Sequence, residues 1–366
     1  MKNILVISDP PAAPGYLPRL RYLCDFLVRQ GYGVTLLTEQ YEPLAFAHTY
    51  PILTIPMYSG SLIDWTIKTA WTLLTDWHNR VFAKRSLQAE EIKQQTFDVV
   101  LCTAFSDFPL GAAAHIARRL QVPLICDIRD LDEQVDGSHY QYRHQQWWTR
   151  PLRNLYRAIH IRRRNRVLRM AQAVTTVSPW HATFIRQYNK NVQVVYNGYD
   201  SQQFYPEKQK SERFTIRYIG SLHEWQKPGL EKVKQSIAEL GIPIDLDIHT
   251  PQHHPLKHTE LGNMIRKSSM MLVLTSEQTH GMLTTKFYEA LGCQRPILCV
   301  PSDQGDLAEL IRYTNAGIAT NDTEVIKRFI LEKYQEWASC GYTTQAVRHA
   351  EEFTRETQSA HFLPLL

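Results

Sequence analysis

Short apolar runs alternate with segments of helical periodicity, and the alternation occurs twice along the chain. The first run, Ile4–Ile7, reads as a strand from the outset. A loop with Pro10, Pro11, Pro14 and Gly15 follows, then Leu20, Leu23, Cys24, Leu27 and Val28 recur at helical spacing until Gly31 stops them. Further strands are predicted at Val34–Leu37, Asp98–Thr103, Leu124–Ile128, Ala173–Val177 and Val192–Tyr196, with helices over residues 60–95 and Leu110–Leu120. Ser178-Pro179 reads as the cap and first residue of a short helix. Residues 200–213 carry charges and few branched apolar side chains, and are predicted to be a linker. The pattern then begins again. Strands are predicted at Phe214–Ile219, Ile244–Ile248, Met270–Leu274 and Pro296–Val300, and helices at Gly229–Leu240, Thr284–Gly292, Asp306–Tyr313 and Asp322–Ser339. Such alternation builds a parallel sheet covered on both faces. The predicted class is therefore α/β, with two Rossmann-like, doubly wound domains, and 366 residues suffice for two cores. Ligands of such sheets bind outside the carboxyl ends of the strands, so the expected site is a cleft between the domains.

One segment of the second half concentrates chemistry. Thr284-Thr285-Lys286-Phe287-Tyr288-Glu289 puts two hydroxyls, an ammonium and a carboxylate into the first turns of a helix. A helix start offers free N–H groups and a positive dipole end, which attract phosphate, and Thr and Lys add contacts. Glu289, four residues after Thr285, shares its face and suits a ribose diol. The bland alternative is an ordinary Thr cap followed by a solvated charged face.

Composition narrows the setting. The six cysteines lie far apart without a CxxC pair and read as buried free thiols of a reducing compartment. The opening strand does not read as a signal peptide, and no apolar run approaches the roughly 20 residues of a membrane span. A cytoplasmic location is expected. The net charge of +5 is unevenly spread. From Gly137 through Tyr199 there are ten Arg, one Lys and no acid. Within it Trp147, Trp148, Leu152, Leu155, Tyr156 and Ile159 keep helical spacing, and Trp65, Trp71 and Trp77 precede it. Residues 143–169 thus read either as a surface helix with its stripe in the core or as a basic amphipathic contact to an anionic membrane face. No nucleic-acid partner is expected.

Several motifs, in order along nearly the whole length, resemble the B-fold glycosyltransferases, nearest to glycosyltransferase family 4. They are the Pro/Gly loop and the helix ending Gln30-Gly31-Tyr32-Gly33-Val34; the turn Val195-Tyr196-Asn197-Gly198-Tyr199-Asp200; Tyr218-Ile219-Gly220-Ser221-Leu222 with Lys227; Lys286-Phe287-Tyr288-Glu289-Ala290-Leu291 with Arg295-Pro296-Ile297; and Phe353-Thr354-Arg355-Glu356 with its tail. The resemblance implies an acceptor-side domain of residues 1–200 completed by a C-terminal helix over 343–366, and a nucleotide-sugar domain of residues 201–342. It implies a ribose contact at Glu289 and diphosphate contacts at Thr284, Thr285 and Lys286. Lys227 would neutralise the leaving diphosphate, and Gly15 and Gly220 would lie where the chain approaches the ligand. One position departs from the family pattern. Gly281 stands where a second glutamate is common, eight residues before Glu289, and Glu277 lies four residues too early. The donor-sugar contact would then fall to backbone N–H groups of Gly281, Met282 or Leu283.

Cys126-Asp127-Ile128-Arg129-Asp130-Leu131-Asp132 closes an apolar strand with charges. Asp130 is expected to orient or deprotonate an acceptor hydroxyl and Arg129 to bind an anionic acceptor group, the alternative being a structural ion pair. Asp130 with Asp132, and Asp245 with Asp247, spell the Asp-x-Asp of metal-dependent transferases; His249, His253, His254 and His258 lack a completing ligand. No metal or cofactor is expected. The expected function is transfer of a hexose-like sugar from a nucleoside diphosphate to a glycan or lipid-linked hydroxyl, with retained configuration, in cell-surface polysaccharide synthesis. Catalysis is assigned to Asp130, Arg129 and Lys286. Two other readings share the architecture. A nucleotide-sugar epimerase would form product without acceptor, and a non-catalytic nucleotide- or glycan-binding descendant would bind without turnover.

Overall fold

A computed structural model describes residues 1–9, 18–39, 48–57, 71–72, 75–104, 107–134, 150–250, 258–277 and 279–366. Among them, Met1–Glu133, 150–195 and Ser359–Leu366 form one compact unit, and Gln134 with Tyr196–Gln358 forms a second.

The first unit runs β1 (Asn3–Ser8), α1 (Pro18–Arg29), β2 (Gly33–Glu39), β3 (Ile52–Ile55), α2 (Trp77–Gln88), α3 (Glu90–Lys93), β4 (Val99–Ala104), α4 (Leu110–Leu120), β5 (Leu124–Ile128), α5 (Arg150–Met170), β6 (Ala173–Thr176), α6 (Pro179–Ile185) and β7 (Val192–Val194). Its seven strands lie in the order β3-β2-β1-β4-β5-β6-β7, and all pair in parallel. Alternate residues feed opposite faces. Leu5, Ile7 and Leu37 join one buried cluster, and Ile4, Val6 and Leu36 the other. The order reverses between β1 and β4.

The second unit runs β8 (Thr215–Ile219), α7 (Lys227–Leu240), β9 (Asp245–His249), α8 (His258–Arg266), β10 (Met270–Leu274), α9 (Thr285–Gly292), β11 (Ile297–Val300), α10 (Asp306–Tyr313), β12 (Gly317–Ala319), α11 (Thr323–Cys340) and the start of α12 (Arg355–Ala360), whose last two residues belong to the first unit. Its parallel sheet has the order β12-β11-β10-β8-β9, which reverses between β8 and β10. Met271, Val273, Ile297 and Cys299 face one core, while Met270, Leu272, Leu298 and Val300 face the other. Both units are therefore doubly wound, as the alternation predicts.

The structure corrects the sequence reading at several places. Residues 200–213 are not a free linker. Phe204 is wholly buried among Tyr199, Ile265 and Leu291, Gln203 O accepts from Arg266 Nη1 at 3.0 Å, and the Ser211 N–H donates to Gly341 O at 2.9 Å. One aromatic anchor outweighs the polar character of the stretch. The C-terminal helix expected over 343–366 is reduced to α12 between two 3-10 turns, Ala350–Phe353 and Leu363–Leu365. Beyond α12, Phe362 is buried against Val6, Leu27 and Val195, and Lys2 Nζ donates to Leu366 O at 2.8 Å. The helical reading of 60–95 is interrupted at Asp76, whose φ is 58°; residues 58–70, Trp65 among them, lie outside the described residues. All six cysteines are free thiols, and all but Cys340 are buried. Among the described residues no helix is long and apolar enough to cross a membrane.

Candidate active site

Helix α9 begins where the β8/β10 reversal leaves the carboxyl edge of the second sheet open. Thr284 caps it with extended backbone (φ −71°, ψ 144°), and its hydroxyl accepts from the Lys286 N–H at 3.4 Å. Before the cap, Gly281 is buried with φ +62°, and Leu283 is buried while Met282 is partly exposed. Thr285, the first helical residue, is exposed.

Lys286 does not lie along its helix as a solvated face would. Its aliphatic end crosses Gly220, the residue that ends β8 with φ +132°. A Cβ at Gly220 would fall 2.5 Å from Lys286 Cε and 2.7 Å from Nζ, so only glycine leaves this path open. The ammonium also stands 5.4 Å from the centroid of the Tyr218 ring. Burial lowers the Lys286 pKa, and the charge of Glu289 opposes that shift. Glu289, one turn on, is pushed up to about 7 by burial, against the pull of Lys286 and Arg355. The edge thus holds an incompletely solvated cation beside a carboxyl group that titrates near neutrality. Free helix N–H groups, a capped turn and a cation at one strand reversal are suited to a diphosphate.

Of the other expected donor contacts, Lys227 starts α7, and its ammonium lies 2.6 Å from Glu224 Oε1 with both side chains about half exposed. Glu277 accepts from Asn321 Nδ2 at 2.6 Å, so it is tied to the loop after β12 and does not substitute for the glutamate absent at Gly281. Gly15 lies outside the described residues.

The carboxyl edge of the first unit is organised by ion pairs. Arg129 is buried and pairs with Asp9, at the end of β1, at 3.0 Å. Asp130 is exposed, yet the protein around it raises its carboxyl above the usual range, Arg129 opposing and Asp9 and Asp132 reinforcing the rise. The partner of Arg129 is therefore Asp9 rather than its neighbour. Asp127 is the hub that sequence spacing misses. Nearly inaccessible, it takes Arg19 at 2.9 Å, the Thr175 hydroxyl at 2.6 Å and the Thr103 hydroxyl at 3.1 Å. A carboxylate inside the apolar run of β5 is the signal that could have found it, since a buried charge needs partners.

Much of the basic helix α5 is spent inward. Arg164 pairs with both oxygens of Glu133 at 2.8 and 2.6 Å, Arg163 lies 3.5 Å from Asp76, and His160 bonds Asp107. Arg162, Arg166 and Arg169 stay exposed, as do Leu155, Tyr156 and Met170. Trp147 and Trp148 lie outside the described residues. His181, wholly buried nearby, is pushed down to about 4 by burial and then by the charge of Arg164. The Asp-x-Asp pair of β9 is not a bare carboxylate couple. Asp247 is bound by Arg217 at 2.6 Å. Among the described residues no three His, Cys, Asp or Glu side chains group to hold a metal ion; His253 and His254 lie outside them.

Comparison with solved structures gives the same architecture. Sucrose-phosphate synthase (tll1590) from Thermosynechococcus elongatus superposes with a TM-score of 0.68 at 15% identity, over 100% of this chain and 98% of that one. HepE (Alr3699) from Anabaena, solved with UDP-glucose, gives 0.64 at 15% identity over 100% of both chains. A glycosyltransferase from Rickettsia africae gives 0.62 at 13% identity, over 100% of this chain and 97% of that one. No curated protein matches the chain in sequence. The family model for Glycosyltransferase Family 4 matches residues 19–203, just over half of the chain. The B-fold architecture and this match agree: the chain belongs to glycosyltransferase family 4.

Proposed function

We propose that this glycosyltransferase moves a hexosyl residue from a nucleoside diphosphate sugar to a hydroxyl of a glycan or lipid-linked acceptor, with retained anomeric configuration, in cell-surface polysaccharide assembly. The observation that carries the reading is the passage of Lys286 across Gly220 at the sheet reversal of the second unit, one helical turn before Glu289. Departure of a nucleoside diphosphate builds negative charge on its phosphates, and a preorganised cation with helix N–H groups stabilises that charge in the transition state. Glu289 accepts from the ribose diol, Thr284 and Thr285 add phosphate contacts, and backbone N–H groups from Gly281 to Leu283 meet the sugar. In the first unit, Asp130 orients the acceptor hydroxyl and Arg129, already aligned by Asp9, receives an anionic acceptor group. The Anabaena protein of this fold, solved with UDP-glucose, supports a nucleotide sugar as donor. No metal is assigned a role.

A thermal-shift panel of nucleoside diphosphates and their sugar esters tests this, since a ligand bound only by the native state raises its melting temperature. Glu289→Ala is expected to weaken the responding nucleotide by about 1.5–3 kcal/mol. Unchanged calorimetric affinity in that variant sinks the assignment. NMR of the product's anomeric proton reads the stereochemistry. The exposed Arg162, Arg166 and Arg169, with Leu155 and Tyr156, support a further reading, in which α5 rests on the anionic cytoplasmic face of a membrane. Flotation with anionic liposomes at low salt is the expected positive result, and absence of flotation at any salt concentration removes it.

A further inference from the structure

The amino edge of the first sheet, at the far end of the strands from Asp9 and Arg129, holds a cavity of about 480 Å³. Four segments build it: the start of β1, the turn from α1 into β2, the approach to β3 and the turn from α3 into β4. Internal bonds fix these walls. The Gly33 N–H donates to Lys2 O at 2.9 Å, the Leu36 N–H to Pro51 O at 2.9 Å and Asn3 Nδ2 to Thr96 O at 3.0 Å. The buried Thr35 hydroxyl donates to Gln95 Oε1 at 3.1 Å and so ties β2 to the turn before β4.

The lining has a definite chemistry. Twelve residues line the cavity and none of them carries a charge, in a chain where 21% of residues do. Val34, Thr35 and Tyr50 are its buried part, and Thr49, Pro51, Gln94, Gln95 and Thr96 its exposed rim. Among the described residues, Asn3 Oδ1, Gln95 Nε2 and the hydroxyls of Tyr32, Thr49 and Thr96 have no hydrogen-bond partner. The wall therefore offers donors and acceptors beside the apolar surface of Val28, Val34 and Pro51. A phosphate or carboxylate would enter without a cation to receive it, and an ammonium without an anion, so a charged ligand is disfavoured. An aliphatic ligand would leave the amide and hydroxyl groups unpaired. A sugar ring matches on both counts, since it presents hydroxyls around its edge and C–H groups on its faces. The volume of about 480 Å³ lies within the roughly 300–1,000 Å³ of small-molecule sites.

We propose that this cavity is a second, non-catalytic saccharide site, which takes a neutral hexose unit of a glycan. Asn3 and Ser8 stand roughly 17 Å apart along β1, at about 3.3 Å per residue, so a ring held here is not the ring held at the carboxyl edge. A glycan anchored at this edge keeps its reacting end at a raised effective concentration. That role rests on the proposed transfer to a glycan, while the binding itself does not. Saturation-transfer NMR with glucose, galactose, mannose and N-acetylglucosamine compares wild type with Gln95→Ala and Thr96→Trp, with circular dichroism as the check on folding. At least one of the four sugars is expected to bind wild type, to bind Gln95→Ala about fivefold more weakly for the loss of one neutral hydrogen bond, and to be excluded from Thr96→Trp, whose indole fills the rim. Nucleoside diphosphate affinity, read by calorimetry, is expected to be unchanged in both variants. Transfer to none of the four sugars, transfer that both variants leave intact, or tighter binding of glucose 6-phosphate than of glucose overturns the proposal. Equal weakening of sugar and nucleotide overturns it too. A wild type that takes a sugar here but no nucleoside diphosphate keeps this site and refutes the donor reading instead.

Discussion

The two units share one construction and differ at the same place, the carboxyl edge of the sheet. In the first unit, side chains of this edge pair with one another: Arg19 with Asp127, Arg129 with Asp9, Arg164 with Glu133 and His160 with Asp107. In the second, Lys286 is drawn out of solvent across a glycine, and Glu289 is left with a carboxyl pushed up to about 7. An edge with a desolvated cation beside a carboxyl group of raised pKa is electrostatically incomplete, which the proposed binding of an anion with a diol would relieve. The two sheets thus differ in how their edge charges are held: paired within the protein in the first, desolvated beside one another in the second.

The contrast breaks most sharply at Asp127. Asp127→Ala removes the buried carboxylate that Arg19, Thr175 and Thr103 bond, and is expected to cost about 3–5 kcal/mol of unfolding free energy in a denaturant titration. A cost below ~1 kcal/mol would mean that the pair is not the hub of the first edge. At the second edge Gly220→Ala pushes Lys286 off its path and also strains a backbone with φ +132°. Nucleotide affinity is expected to fall by about 1.5–3 kcal/mol, the worth of a charged hydrogen bond. Calorimetry showing equal affinity in that variant would free Lys286 of its assigned role.

The smallest effect is the most specific. Glu289 has a folded-state pKa raised above the ordinary 4.5, so folding favours its protonated form. The stability it contributes is fully present below 4.5 and is lost as pH rises through about 7. Glu289→Gln should therefore flatten the fall in melting temperature between pH 5 and 8. Nucleotide affinity should run the opposite way, rising through pH 7 in the wild type as the carboxylate forms, with a weaker rise in the variant that reflects only titration of the phosphates. Parallel pH profiles for the two proteins would show that Glu289 does not titrate in this window.

Where local pattern decides structure, the sequence is a good guide. Leu110–Leu120, Leu124–Ile128, Met270–Leu274 and Asp306–Tyr313 are elements with the predicted bounds, because each carries an uninterrupted period of its own. β3 and β12 are short edge strands of four and three residues, too brief to show a period. Gly317 in β12 is required, since a Cβ there would lie 2.0 Å from Ile297 O. The candidate site divides in the same way. Thr284 as cap and Glu289 on the following turn are local facts. The pairing of Arg129 with Asp9 and the hub at Asp127 join residues from different strands, and no spacing along the chain encodes them.

The order in which the ribosome makes this chain gives the docking of Phe362 a further meaning. The strands of the first sheet are synthesised early, but one of their core positions, between Val6, Leu27 and Val195, is filled only by Phe362. The whole second unit is translated in between. At roughly 5–20 residues per second that interval is on the order of ten seconds, during which this cluster lacks Phe362. Completion of the first unit is thus timed by synthesis of the second.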